Sequence, residues 1–117
     1  MKKIHRSREE VIRLWVKALR SGKYKQGTGV LREGDRFCCL GVLCDLNRID
    51  GGAEWETTFW MNHYYFYGGD DIRLPNKIKK FVGLSASKER SLAGLNDGGK
   101  SFREIADVIE KMTGVNG

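Results

Sequence analysis

The feature that most constrains this chain is a pair of matching helix-start signals, one at each end. Ser7 followed by Glu10, and Ser101 followed by Glu104, are capping boxes: the serine oxygen accepts the glutamate's amide proton while the glutamate reaches back to the serine's own N–H. Behind the first, Ile12, Trp15, Val16 and Leu19 recur at helical spacing until Gly22; behind the second, Phe102, Ile105, Ala106, Ile109 and Met112 do so until Gly114. Each helix is apolar along one stripe only. Two such helices need a shared surface to cover, and the intervening segment has to build it.

That segment changes period several times. Residues 28–33 read as a short strand, and Glu33-Gly34-Asp35 as a turn. The unbroken apolar run 37–44, followed by polar Asp45, Asn47 and Arg48, reads as a buried helix. Gly41 inside it costs about 1 kcal/mol against alanine, which points to a close backbone crossing. Over 53–67, Trp55, Thr57 and Phe59 alternate with Glu54, Glu56 and Thr58, and residues 63–67 return as a hairpin partner. Gly68-Gly69-Asp70-Asp71 is a loop. Pro75 opens a short helix with Ile78, Phe81 and Val82 inward and Gly83 as its stop, and a second short helix carries Leu92 and Leu95. The expected fold class is α+β, with about four helices packed around a small antiparallel sheet or hairpin. Residues 1–117 form a single domain, since neither a repeat nor a dividing linker is visible.

Composition narrows the function. Of 117 residues, 40% are hydrophobic and one is proline, enough for a modest core and unlike a disordered chain. No stretch reaches the ~18 apolar residues that cross a bilayer, and the basic N-terminus is not followed by a signal-peptide core, so a cytoplasmic protein without a membrane partner is expected. Cys38, Cys39 and Cys44 are odd in number and crowded together, a poor disulfide framework and the wrong spacing for tetrahedral zinc. No metal or other cofactor is expected. A net charge of +6 favours anionic partners and equally suits a merely soluble surface. No helix clusters enough basic residues to favour nucleic acid.

Three constellations carry possible chemistry. Gly94 to Ser101 satisfies the P-loop pattern letter for letter, but the strand that must precede such a loop is missing and the chain lacks the βα alternation of a parallel sheet. What survives is an anion corner: amides of Gly98 and Gly99 leading into a helix N-terminus beside Lys100 and Ser101. The opposing reading is a Gly-Gly turn already satisfied by Ser101. The second constellation is Cys38 at a helix start, where the macrodipole favours thiolate, with His63 as base and Asn96 or Asp97 to orient it; the opposing reading is an inert buried thiol. The third is the ring cluster Trp55, Phe59, Trp60, Tyr64, Tyr65, Phe66 and Tyr67, too dense for one small core. Outward rings beside Arg32, Arg36, Arg73 or Lys77 make a stacking surface for a base with cations for its phosphate, or a subunit interface.

The segment Arg36 to Leu46, containing Cys-Cys-Leu-Gly-Val-Leu-Cys-Asp-Leu, and the segment Leu92 to Asp107, containing Leu-Asn-Asp-Gly-Gly-Lys-Ser-Phe-Arg-Glu-Ile-Ala-Asp, resemble a family of small proteins encoded by tailed bacteriophages and some actinobacteria. Residues 15–24, Leu74-Pro75 and Gly83-Leu84 also fit it, and the aromatic hairpin is the most individual part. The resemblance transfers no catalytic residue. It implies a setting, that of small phage proteins among which are inhibitors of host defence. In that setting the expectation is a homo-oligomeric accessory protein that binds and sequesters a phosphate-bearing nucleotide immune signal. Gly98, Gly99, Lys100 and Ser101 would meet phosphate, Arg32 and Arg36 would neutralise it, and Trp60 and Tyr65 would stack on the base. The alternatives are a small hydrolase of that signal, through Cys38, His63 and Asn96 or as a metal-independent phosphodiesterase, and an inhibitor that binds a protein or a nucleic acid.

Overall fold

A computed structural model describes residues 3–58, 60 and 63–117. Both capping boxes form. Ser7 caps α1 (Arg8–Arg20) and Ser101 caps α5 (Phe102–Thr113), which ends at Gly114 in the left-handed region (φ 72°). Between them come β1 (Lys25–Gln26), β2 (Arg32–Glu33), β3 (Arg36–Phe37), α2 (Cys39–Ile49), β4 (Glu56–Thr57), β5 (Tyr65–Phe66), α3 (Asn76–Val82) and α4 (Ala86–Asp97). The fold is α+β, with five helices among the described residues where about four were expected. The extra turns belong to α4, a full 12-residue helix capped by Ser85, not a short one. No helix among the described residues is long and apolar enough to cross a membrane.

The two apolar stripes, expected to cover a surface built by the intervening segment, also pack directly on each other. Ile12, Trp15 and Val16 of α1 and Ile105, Ala106 and Ile109 of α5 are buried in one core, where α1 packs on α5 and α2 lies against both α1 and α4. Trp15 is fully buried, and its indole N–H donates to the Cys39 carbonyl (2.8 Å), which ties α1 to the start of α2. At the rim, Arg20 of α1 donates to Asp107 (2.6 Å) and to Glu110 (2.7 Å) of α5. That guanidinium, with the Gly117 amide, holds the Glu110 carboxyl down at about 2. The buried run became α2 for a reason visible at Gly41: a Cβ there would collide with the Leu31 carbonyl oxygen, which also accepts the Cys38 amide. Only glycine allows the crossing.

The sheet differs from expectation. β2 and β3 form an antiparallel hairpin around the expected turn at Gly34, with Arg32 opposite Phe37, so Phe37 lies in a strand and not in the helix expected over 37–44, and β1 joins β3 in parallel, Lys25 opposite Arg36. Two reversals of the chain, before β2 and before β3, leave β1 and β3 pointing the same way. The strand expected over 28–33 is confined to Arg32–Glu33 because Gly29 takes a φ of +83° and its amide is held by the Asp97 carboxylate (2.9 Å), so the chain loops there. The second hairpin pairs Thr57 with Tyr65 and Glu56 with Phe66. Phe59, Met61 and Asn62 lie outside the described residues. Pro75 stands one place before the first helical residue of α3, and Phe81, expected inward, is 46% exposed. In so short a helix Val82 takes the inward position.

Candidate aromatic platform and closed glycine corner

The ring cluster is organised by a carboxylate. Asp45 sits where the apolar run of α2 gives way to polar residues, and it is almost wholly buried. It accepts from the Tyr24 hydroxyl (2.7 Å), the Arg48 Nε (2.8 Å) and the Trp55 indole (2.9 Å). Burial raises its pKa, but the hydrogen bonds from Arg48, Tyr24 and Trp55 outweigh that and hold it below the usual carboxylate range. Tyr67 is buried too, its hydroxyl accepting from Asn47 (2.8 Å) and donating to the Ala53 carbonyl (2.8 Å).

On these supports the rings interlock. Phe37 meets Tyr24 edge-on at 5.1 Å and Trp55 at 6.0 Å; Trp55 meets Tyr65 at 6.1 Å and Tyr67 at 4.9 Å. The Arg32 guanidinium lies over the platform, 3.8 Å from the Tyr65 ring centre, 5.0 Å from Phe37 and 5.6 Å from Trp55. Its Nε donates to the Gly34 carbonyl (2.8 Å), and among the described residues no carboxylate pairs with it. Tyr65, expected to stack on a base, therefore offers one face to Arg32 instead. Trp60 stands on the same hairpin, 86% exposed. Asp45, Tyr24 and Trp55 as supports were missed in the sequence. The available signal was an aspartate directly after an apolar run, together with an indole N–H that needs an acceptor when buried.

The glycine corner has the opposite character. The Gly98 amide donates to Gly94 (2.9 Å), Gly99 to Asn96 (3.3 Å) and Lys100 to Leu95 (3.0 Å), all carbonyls at the end of α4. The Ser101 amide donates to the Glu104 carboxylate (3.1 Å), whose pKa is lowered by that bond and by the Ser101 hydroxyl, and Lys100 Nζ lies 3.7 Å from the same carboxylate. The amides of residues 98–101 are thus satisfied within the chain, Lys100 is paired, and the Glu104 carboxylate lies at the helix start where an anion would sit. The P-loop letters are preceded by helix α4, not by a strand. Arg36 lies on this side of the molecule. Its Nη1 contacts the Gln26 carbonyl (3.4 Å), and the Gln26 side chain donates to the Lys100 carbonyl (2.8 Å). Arg32 pairs with Phe37 and Arg36 with Glu33, so alternation sends the two arginines to opposite faces of the small sheet. The structure does not bring them together.

Nor does it assemble the thiol constellation. Cys38 is the N-cap of α2, its sulfur accepting from the Gly41 amide (3.4 Å), yet burial pushes the thiol up to about 11. The macrodipole is outweighed by desolvation. His63 is exposed, its ring tilted against that of Tyr64 (4.3 Å between centres), and among the described residues no hydrogen bond joins it to Cys38. The Asn96 side chain is fully committed: its oxygen accepts from Gln26 (3.0 Å) and from the Cys39 amide (3.1 Å), and its nitrogen donates to the Gly27 carbonyl (2.7 Å). It fastens β1, α2 and α4 together.

Neither the curated proteins nor the solved structures contain a match to this chain. A family model does match, described as a domain of unknown function (DUF8296), and it runs from the capping serine of α1 to the last residue of α5. The matched span, residues 7–113, is nearly the whole chain, and the protein belongs to that family.

Proposed function

We propose that this protein binds and sequesters a small anion bearing a phosphate and a planar ring, a nucleotide-derived signal, at the platform around Arg32. One observation carries the reading: a guanidinium seated on three aromatic rings and left without a carboxylate partner among the described residues. Stacking fixes its plane at little entropic cost, and its Nη groups remain donors suited to the paired oxygens of a phosphate. Trp60 on the neighbouring hairpin supplies a ring for the base. The closed corner at Gly98 and Gly99 takes no part, and Arg36 faces elsewhere. Sequestration is favoured over hydrolysis because the thiol proposed as nucleophile is buried and protonated near neutral pH. The resemblance to small phage proteins supports a setting in which the ligand is an immune signal of the host and the protein an inhibitor of defence.

Isothermal titration against cyclic nucleotides, ADP-ribose derivatives and inorganic phosphate tests this. Saturable heat with at least one nucleotide, abolished in Arg32→Gln, is the expected result, and denaturing the complex should return the ligand intact. Baseline heat for the whole panel overturns the proposal. Recovery of a cleaved ligand would select the hydrolase instead. A second reading, docking of a protein or of a second copy of this chain, is favoured by the exposure of Trp60. Sedimentation of Trp60→Ser against the unaltered protein separates self-association from ligand capture.

A further inference from the structure

On the other side of Tyr67 from the platform lies a cavity of about 510 Å³, between α1, the C-terminal half of α2, α3 and the N-terminal residues 3–6. Its volume falls within the ~300–1,000 Å³ of small-molecule sites. Its chemistry is unlike that of the platform. Val11, Leu14, Leu46, Ile78 and Val82 make aliphatic walls, and Phe81 stands half exposed at the lip. Ile4, itself 49% exposed, is held beside the cavity by its amide bond to the Asp50 carbonyl (2.8 Å). The charged groups are Lys3, Arg6, Asp50 and Lys77, with His5 beside them. Arg6 and Asp50 cancel each other through two hydrogen bonds (2.8 and 3.2 Å). Lys3 and Lys77 have no ion-pair partner among the described residues, so the rim carries an uncompensated positive charge.

We propose that this cavity binds a single-chain anionic amphiphile, an alkyl carboxylate, with its chain against the aliphatic walls and its head group between Lys3 and Lys77. Apolar burial supplies the affinity, since each methylene taken out of water favours the bound state. The unpaired lysines set the sign of the head group. The inference stands apart from the nucleotide reading, since none of the platform's Arg32, Phe37, Trp55 or Tyr65 lines this cavity.

The test titrates the full chain with sodium decanoate, decanol and decyltrimethylammonium, each below its aggregation limit. Decanoate should bind saturably, decanol more weakly and the cation least. Lys77→Glu, at an exposed position that the fold tolerates, should weaken decanoate roughly fivefold while leaving decanol unchanged. Phe81→Ser, which trims the lip without altering charge, should weaken both alkyl ligands. No heat with decanoate, equal binding of decanoate and the cation, or a decanoate affinity indifferent to both substitutions would each overturn the proposal. So would a dimer in sedimentation that decanoate fails to perturb and Phe81→Ser dissolves, because the cavity would then be a contact between copies.

Discussion

The glycine corner and the Arg32 platform start from similar sequence cues and end as opposites. Both place a cation beside a hydrogen-bonding turn. At the corner, α4 ends and α5 begins within four residues, so the carbonyls of one helix and the capping box of the other consume every amide between them. At the platform, the neighbours of Arg32 are rings, which attract a guanidinium without neutralising it. An anion site at a helix start exists only where the cap leaves donors unclaimed, whereas a cation on an aromatic surface keeps its charge for a ligand.

The contrast can be broken or sharpened by substitution, and the largest effect is expected at Asn96. Asn96→Ala removes the side chain that ties β1, α2 and α4 together next to the closed corner and orphans the Cys39 amide and the Gly27 carbonyl, costing roughly 2–4 kcal/mol in denaturant unfolding. An unchanged midpoint would mean that this tie between β1, α2 and α4 carries little of the stability. At the platform, Arg32→Lys keeps the charge and loses the planar stack, so ligand affinity should fall by about tenfold or more with little change in melting temperature. Equal affinity in the lysine variant would reduce Arg32 to a point charge. Ser101→Ala should cost about 1 kcal/mol of stability and free the Glu104 amide, and it should still confer no phosphate affinity while the Glu104 carboxylate remains.

The smallest effect is a pH dependence. The folded pKa of Glu104 lies below its ordinary 4.5, because the Ser101 amide and hydroxyl bind the ionised form. Its stabilising contribution is therefore complete above about pH 4.5 and fades as the pH falls through the depressed folded value. The melting-temperature gap between the unaltered protein and Glu104→Gln should be constant at neutral pH and shrink on acidification below 4.5. A gap that persists there would assign the difference to packing.

Much of the frame could be read along the chain. The two capping boxes, the stripes behind them and the glycine stops lie within a few residues of one another, so local geometry alone specifies them. Gly41 announced its crossing because a mid-helix glycine needs a reason, and the Leu31 carbonyl supplies it. The parallel pairing of β1 with β3 was not legible, since two-residue strands carry no periodicity. Phe81 was misplaced because a seven-residue helix has one inward position at its end, and Val82 took it.

The candidate sites were less legible than the frame. Cys38 at a helix start suggested a reactive thiol, and the macrodipole is indeed there, but the density of apolar neighbours that raises the thiol is a property of the assembled core. Asn96 looked like an orienting residue and proved to be a structural tie. Asp45 was read only as the polar end of an apolar run, yet it holds Tyr24 and Trp55 through hydrogen bonds.

By itself the sequence determined the elements whose cause is local: where helices begin, where they stop, and which face of each is apolar. Tertiary structure alone decided which polar groups were left over. Whether an amide, a thiol or a guanidinium can meet a ligand depends on partners contributed by residues far along the chain, and only the folded arrangement shows that those of the corner are spent while that of Arg32 is not.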